Sequence, residues 1–246
     1  MSRVKEKSSM IKLVWKDSEA LNLAAAYYFT KRCNESIATK GFFSVALSGG
    51  STPKQLYEIL STPEFSRNID WKKVLIFWGD ERFVPHTHDD SNYKMVKEAL
   101  LDKIKIPKKN IFAVPVNGWP QDCAVAYEQT IKATLGRNVA FDLILLGMGD
   151  DGHTASLFPG TQILDEHKQL VKEVWVDSKQ TWRISFTYSL INRGKEIMFL
   201  ISGENKAPVL KKIFSNRKLK TPYPVQNINP QTGNIIWMLD EAAAFK

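Results

Sequence analysis

Only two cysteines, Cys33 and Cys123, and only four histidines occur among the 246 residues. The cysteines form neither a Cys-x-x-Cys pair nor a zinc-ligand cluster, which argues against a disulfide scaffold and a structural zinc site. No run approaches the roughly 20 apolar residues needed to cross a bilayer. Residues 1–12 are polar and basic, without the apolar stretch of a signal peptide. These absences predict a chain working in a reducing, cytoplasmic setting. Acidic residues are also in deficit, 26 Asp and Glu against 34 Lys and Arg, for a net charge of +8. That excess favours anionic partners without choosing among sugar phosphates, nucleic acid and membrane surfaces. Internal repeats, low-complexity tracts and long Pro/Gly/Ser linkers are missing. With 43% hydrophobic and 24% charged residues, the composition is that of an ordinary globular protein, and one domain over residues 1–246 is expected.

What is present is an alternation of two kinds of segment. Short β-branched or aromatic runs read as strands at 11–15, 42–47, 74–78, 111–116, 141–146, 183–188, 197–201 and 235–239. Several are apolar throughout, as parallel strands covered on both faces are. Helical patterns lie between them. One is capped by Asp17, one carries Pro53 in its first turn, and others follow Ser91 and Asp122. The alternation predicts an α/β layered fold with a mainly parallel, Rossmann-like sheet flanked by helices. Basic clusters at Lys103, Lys105, Lys108 and Lys109, and at Lys211, Lys212, Arg217, Lys218 and Lys220, read as solvated faces. Neither is interleaved with aromatics as a single-strand groove would be, so no nucleic-acid partner is expected.

Polar residues gather after the strands. Residues 42–47 run into Ser48, Gly49, Gly50, Ser51 and Thr52, and residues 74–78 into Gly79, Asp80, Glu81 and Arg82. Residues 141–146 lead to a turn with three glycines, two aspartates and His153, and residues 197–201 lead to Ser202, Gly203, Glu204, Asn205 and Lys206. Ligands of open α/β sheets bind outside the carboxyl ends of the strands, so these four loops share one rim. Gly49 and Gly50 permit close backbone approach. Ser51 or Thr52 can cap the following helix, whose N-terminus suits an anion. The loop lacks both a P-loop ending and the full G-x-G-x-x-G spacing, which leaves a nucleotide reading weak. Lys206 falls in the first turn of a helix expected from Glu204 onward. A cation there opposes the helix dipole at a cost of about 0.3–1 kcal/mol, which a bound anion would remove. Among the histidines, His86 and His88 sit in a polar loop and His167 in a charged stretch, all three read as exposed. His153, in its glycine-rich turn at the end of a buried strand, is the candidate for chemistry.

At these residues the sequence resembles the 6-phosphogluconolactonase family. The matching stretches are LSGGSTPKQLY at 47–57, GDERFVP at 79–85 with Ser91 and Asn92, and LLGMGDDGHTASLFPG at 145–160. Further matches are RISFT at 183–187, GENKA at 203–207 and WMLDEAAA at 237–244. The resemblance implies a single α/β domain related to the glucosamine-6-phosphate deaminase fold, and a hydrolysis needing neither metal nor cofactor. It implies His153 as catalytic base and Asp80 as its acidic partner in the site. It also implies Gly49, Gly50, Ser51, Thr52, Arg82, Arg183 and Lys206 as phosphate and sugar contacts. The partner expected is a small sugar-phosphate lactone, with no nucleic acid or membrane; oligomeric state stays open. Two departures stand out. Phe83 replaces a common tryptophan, and Tyr223, Pro224, Val225 and Gln226 replace the usual Pro-Ala-Ser/Ala turn. The rival readings are a glucosamine-6-phosphate deaminase-like isomerase, whose signature after the histidine differs, and a non-catalytic sugar-phosphate sensor.

Overall fold

The computed structural model describes residues 9–136, 138–215 and 221–244. In chain order the elements are β1 (Met10–Trp15), α1 (Ser18–Lys40), β2 (Phe43–Leu47), α2 (Ser51–Leu60), α3 (Pro63–Ser66), β3 (Val74–Trp78), β4 (Asp80–Arg82), α4 (Asn92–Ala99), β5 (Ile111–Phe112) and α5 (Pro120–Leu135). They continue with β6 (Leu143–Leu146), β7 (Val171–Val176), β8 (Thr181–Phe186), α6 (Tyr188–Ile191), β9 (Glu196–Ile201), α7 (Ala207–Ile213) and β10 (Asn234–Asp240). Seven strands form one sheet in the order β1-β10-β9-β6-β2-β3-β5, with every pair parallel. β2, β6 and β9 are buried at every position, as continuous apolar runs covered on both faces require. Aromatic side chains fill the interior, with Phe77 stacked on Phe112 and in edge contact with Phe141.

The order has a consequence for ligand binding. From β2 the chain moves outward to β3 and β5, then returns to lay β6 on the other side of β2. Connections leave in opposite directions at the β2–β6 junction, and such a switch point opens a crevice at the carboxyl ends of the strands. The loops after β2 and β6 carry the glycines and His153.

The expected mainly parallel α/β fold is observed, but a second sheet goes beyond the sequence reading. β4, β8 and β7 form a separate antiparallel sheet, so the segment after β3 is a strand rather than a loop. The run at 111–116 is strand only over Ile111–Phe112, and α5 starts at Pro120, ahead of Asp122. Asp17 and Ser91 cap their helices as expected, accepting from the amides of Ala20 and Lys94. His86 is half-buried rather than exposed, stacked on Tyr93 with Nε2 2.9 Å from the carbonyl of Val114, whereas His88 and His167 are exposed. The lysines at 103, 105, 108, 109, 211 and 212 are exposed, while Arg217, Lys218 and Lys220 lie outside the described residues. Among those residues, no helix is long and apolar enough to cross a membrane.

Candidate active site

Two buried tyrosines set the geometry where β2 and β3 leave the sheet. The Tyr57 hydroxyl accepts from the Ser48 amide (3.0 Å) and donates to the Ser48 carbonyl (2.8 Å). The Tyr127 hydroxyl does the same with Trp78, at 2.8 and 3.1 Å. Each satisfies a backbone pair that a turning strand would otherwise leave unpaired indoors. Beyond these anchors lies a cavity of about 380 Å³ on the β2–β6 crevice. All nine residues expected at the site line it: Gly49, Gly50, Ser51, Thr52, Asp80, Arg82, His153, Arg183 and Lys206.

One wall carries the histidine. Nδ1 of His153 lies 2.5 Å from Oδ1 of Asp151, which also accepts from the His153 amide. The ring stacks on Phe158 with centroids 3.9 Å apart. A Cβ at position 149 would stand 2.1 Å from Nδ1 and 2.6 Å from the Asp151 oxygen, so only glycine lets the pair close. With Nδ1 engaged, Nε2 is the nitrogen left for chemistry.

This geometry revises the role expected of Asp80. The carboxylate bonded to His153 is Asp151, two residues away on the same turn. Asp80 instead accepts 2.6 Å from the hydroxyl of the fully buried Ser156, itself held by Ser185. It still lines the cavity, where its charge opposes the effect of burial on Arg183. The Asp151 contact was legible in principle, because a carboxylate two residues from a histidine in a tight turn can reach Nδ1.

The cavity lining is also cationic. Arg82 and Arg183 face each other across the β4–β8 ladder. Opposed residues of an antiparallel pair share a face, and like charges there repel. Burial pulls Arg183 below its ordinary value, and among the described residues the buried Nε of each arginine has no hydrogen-bond partner. An anion in the cavity would relieve both costs. The α2 N-terminus adds unpaired amides. Its N-cap is Gly50 at φ 106°, with no side-chain cap and no acidic residue in the first turn. Neither Ser51 nor Thr52 caps it, contrary to expectation. Lys206 closes a short 3-10 turn (Glu204–Lys206) just before α7, and its ammonium pairs with Asp150 at 2.5 Å. Asp150, rather than a ligand, therefore answers the charge that the sequence left unopposed.

Two supporting residues were missed from sequence. Glu81, pushed upward by burial, accepts from the amides of Arg82, Asn92 and Tyr93, each at 2.7 Å. It thereby ties α4 to the strand bearing Asp80 and Arg82. Asn92 donates to the Asp80 carbonyl (2.9 Å), and its amide oxygen would stand 1.9 Å from a Cβ on Gly49. The late turn at 223–226 adjoins the site from outside. Tyr223 packs on Gly152, and the Val225 amide donates to the Gly152 carbonyl at 3.1 Å. Among the described residues, no three His, Cys, Asp or Glu side chains are grouped to hold a metal.

Comparison with known proteins adds an independent line. Residues 16–237 match the family described as glucosamine-6-phosphate isomerases/6-phosphogluconolactonase. A Nostoc protein named 6-phosphogluconolactonase is 40% identical over 232 residues, covering 92% of this chain and 94% of that one. One of the same name from Haemophilus influenzae is 40% identical over 199 residues, covering 81% and 85%. Among solved structures, 6-phosphogluconolactonase from Trypanosoma cruzi superposes with a TM-score of 0.85 at 29% identity, covering 98% of this chain and 97% of the other.

Proposed function

The chain belongs to the glucosamine-6-phosphate isomerase/6-phosphogluconolactonase family, and from that premise we infer that it hydrolyses 6-phospho-D-glucono-1,5-lactone to 6-phosphogluconate in the oxidative pentose phosphate pathway. The observation that carries the reading is one cavity lined by a carboxylate-oriented histidine and by two arginines whose Nε atoms are buried. The first suits proton abstraction from water, and the second suits a phosphorylated substrate.

The chemistry asked of these groups is modest. Nε2 of His153 removes a proton from water as its oxygen bonds to C1, and Asp151 stabilises the imidazolium that forms. That general-base step contributes roughly 10²–10⁴-fold. Charge then collects on the former carbonyl oxygen, where amides of the glycine turns or Arg82 can receive it. Collapse breaks the bond from C1 to the ring oxygen, which takes the proton from His153 and leaves as the C5 hydroxyl. The phosphate at C6 is remote from C1. Its bonds to Arg183, Lys206 and the α2 amides hold the carbonyl in register with His153. Asp80, fixed by Ser156, is assigned to the sugar hydroxyls and to balancing Arg183. The setting assigned is cytoplasmic, supported by two buried free cysteines, Cys33 and Cys123.

The competing activity within the family removes a carbon-bound proton and releases ammonia from glucosamine 6-phosphate. Supplying the purified protein with each substrate separately decides between them. Rapid proton release from the fresh lactone without ammonia from the amino sugar supports the reading, and the reverse pattern overturns it.

A further inference from the structure

Asp150 takes no part in the chemistry above, yet it occupies one of the cations of the site. Its Oδ1 sits 2.5 Å from Nζ of Lys206 and accepts from Nδ2 of Asn205 at 2.9 Å. Both donors line the cavity. The partners differ in their access to water: the Lys206 side chain is 20% exposed and the Asp150 side chain 63%. An exposed carboxylate that loses its partner is rehydrated at little cost, whereas a mostly buried ammonium needs a replacement anion.

We propose that Asp150 is a built-in counter-ion that competes with the substrate phosphate for Lys206 and Asn205, and so sets how tightly the site holds phosphorylated ligands. The proposal rests on the functional reading above, in which Lys206 takes the phosphate. In the unliganded protein the Asp150 carboxylate neutralises Lys206 and keeps its ammonium at the cavity mouth. A phosphate dianion entering the site accepts from the same two donors and displaces the carboxylate into solvent. Because Asp150 is tethered by the turn that carries His153, it stays close and repels the bound dianion.

A carboxylate about 5 Å from a dianion in an aqueous setting weakens binding roughly three- to tenfold at 0.1 M salt, and more at 0.01 M. The direction is opposite to that of an ordinary positioning residue, whose removal weakens binding. Asp150→Asn keeps the shape and removes the charge, and Asp150→Ala removes both.

The test compares these variants with the unaltered chain in three measurements at 0.01 and 0.1 M salt: calorimetric binding of inorganic phosphate, hydrolysis of 6-phosphogluconolactone, and hydrolysis of unphosphorylated gluconolactone. The expected result is a three- to tenfold tighter phosphate dissociation constant and a matching fall in KM for the phosphorylated lactone. kcat and turnover of the unphosphorylated lactone should stay unchanged, and the gain should shrink as salt rises. Unchanged or weaker phosphate binding in both variants overturns the proposal and makes Asp150 a prop for Lys206. If the unaltered chain binds phosphate but hydrolyses neither lactone, the lactonase reading fails while the phosphate arm still decides the counter-ion exchange. If it binds no phosphate, both fall.

Discussion

Removing the Asp151 carboxylate tests the part of the site that differs from the sequence expectation. Asp151→Asn leaves an amide oxygen able to accept from Nδ1, so it removes the charge and keeps the bond. A hydrogen bond to a charged group is worth about 1.5–3 kcal/mol and a neutral one about 0.5–1.5 kcal/mol. The substitution therefore forfeits about 1–1.5 kcal/mol in a fully dry site. Here the His153 and Asp151 side chains are 25% and 47% exposed. Solvent screening places the loss at the low end, about fivefold in kcat. Asp151→Ala deletes the bond and frees the ring to turn, and the same reasoning gives a loss of about 10- to 30-fold. Gly149→Ala should be worse than either, because its methyl group would overlap Nδ1 at 2.1 Å and force the ring off Phe158. The assay is indicator-monitored proton release from fresh 6-phosphogluconolactone, after subtracting spontaneous hydrolysis. KM should change little across the series, since Asp151 is bonded to His153 and to none of the residues proposed to hold the phosphate. An Asp151→Ala enzyme with unaltered kcat, or a series whose losses fall on KM, would refute the assignment.

Arg183→Met removes one charge-assisted phosphate bond, worth about 1.5–3 kcal/mol. It should raise KM for the phosphorylated lactone at least tenfold, and equal damage to the unphosphorylated lactone would move Arg183 out of the phosphate site. Tyr223→Ala should loosen the His153 turn through Gly152 and lower kcat several-fold at constant KM, with Tyr223→Phe retaining activity; loss of activity in the phenylalanine variant would contradict a packing role. Glu166 is drawn down to about 2 by the amides of Gln169 and Lys168, helped by Lys172. Its contribution is present above pH ~4.5 and fades as the pH falls through about 2, because only the ionised form is favoured by the fold. Glu166→Gln should lower the denaturation midpoint by an amount equivalent to about 1 kcal/mol at pH 7, with no difference remaining below pH ~2.

The strand ends were readable because their chemistry is local. Apolar runs such as that ending at Leu146 fix where a parallel strand stops, and the glycines that follow fix where the backbone turns. The convergence of Gly50, Asp80, His153 and Lys206 then follows from the carboxyl-end rule for open sheets. The β4–β8–β7 sheet was hidden for the opposite reason. Asp80, Glu81 and Arg82 are polar, and they are strand only because β8 arrives from a hundred residues away to pair with them. Tertiary pairing decides such segments, and no periodicity announces it. The same distance concealed the Arg82–Arg183 opposition, the strongest sign of an anion site. The partners of Asp80 and Lys206 depended on side-chain reach across loops, as Ser156 and Asp150 show. Spacing places a residue on a rim, but it does not say which neighbour it touches.

In the proposed reaction His153 deprotonates the attacking water. The most direct test of this step is proton release from fresh 6-phosphogluconolactone by the unaltered chain and by His153→Ala at equal concentration. Folding of the variant is checked by its thermal unfolding and its binding of inorganic phosphate. kcat of the variant should fall by on the order of 10²–10⁴ with phosphate affinity preserved. A folded, phosphate-binding variant that turns over at the unaltered rate would contradict it.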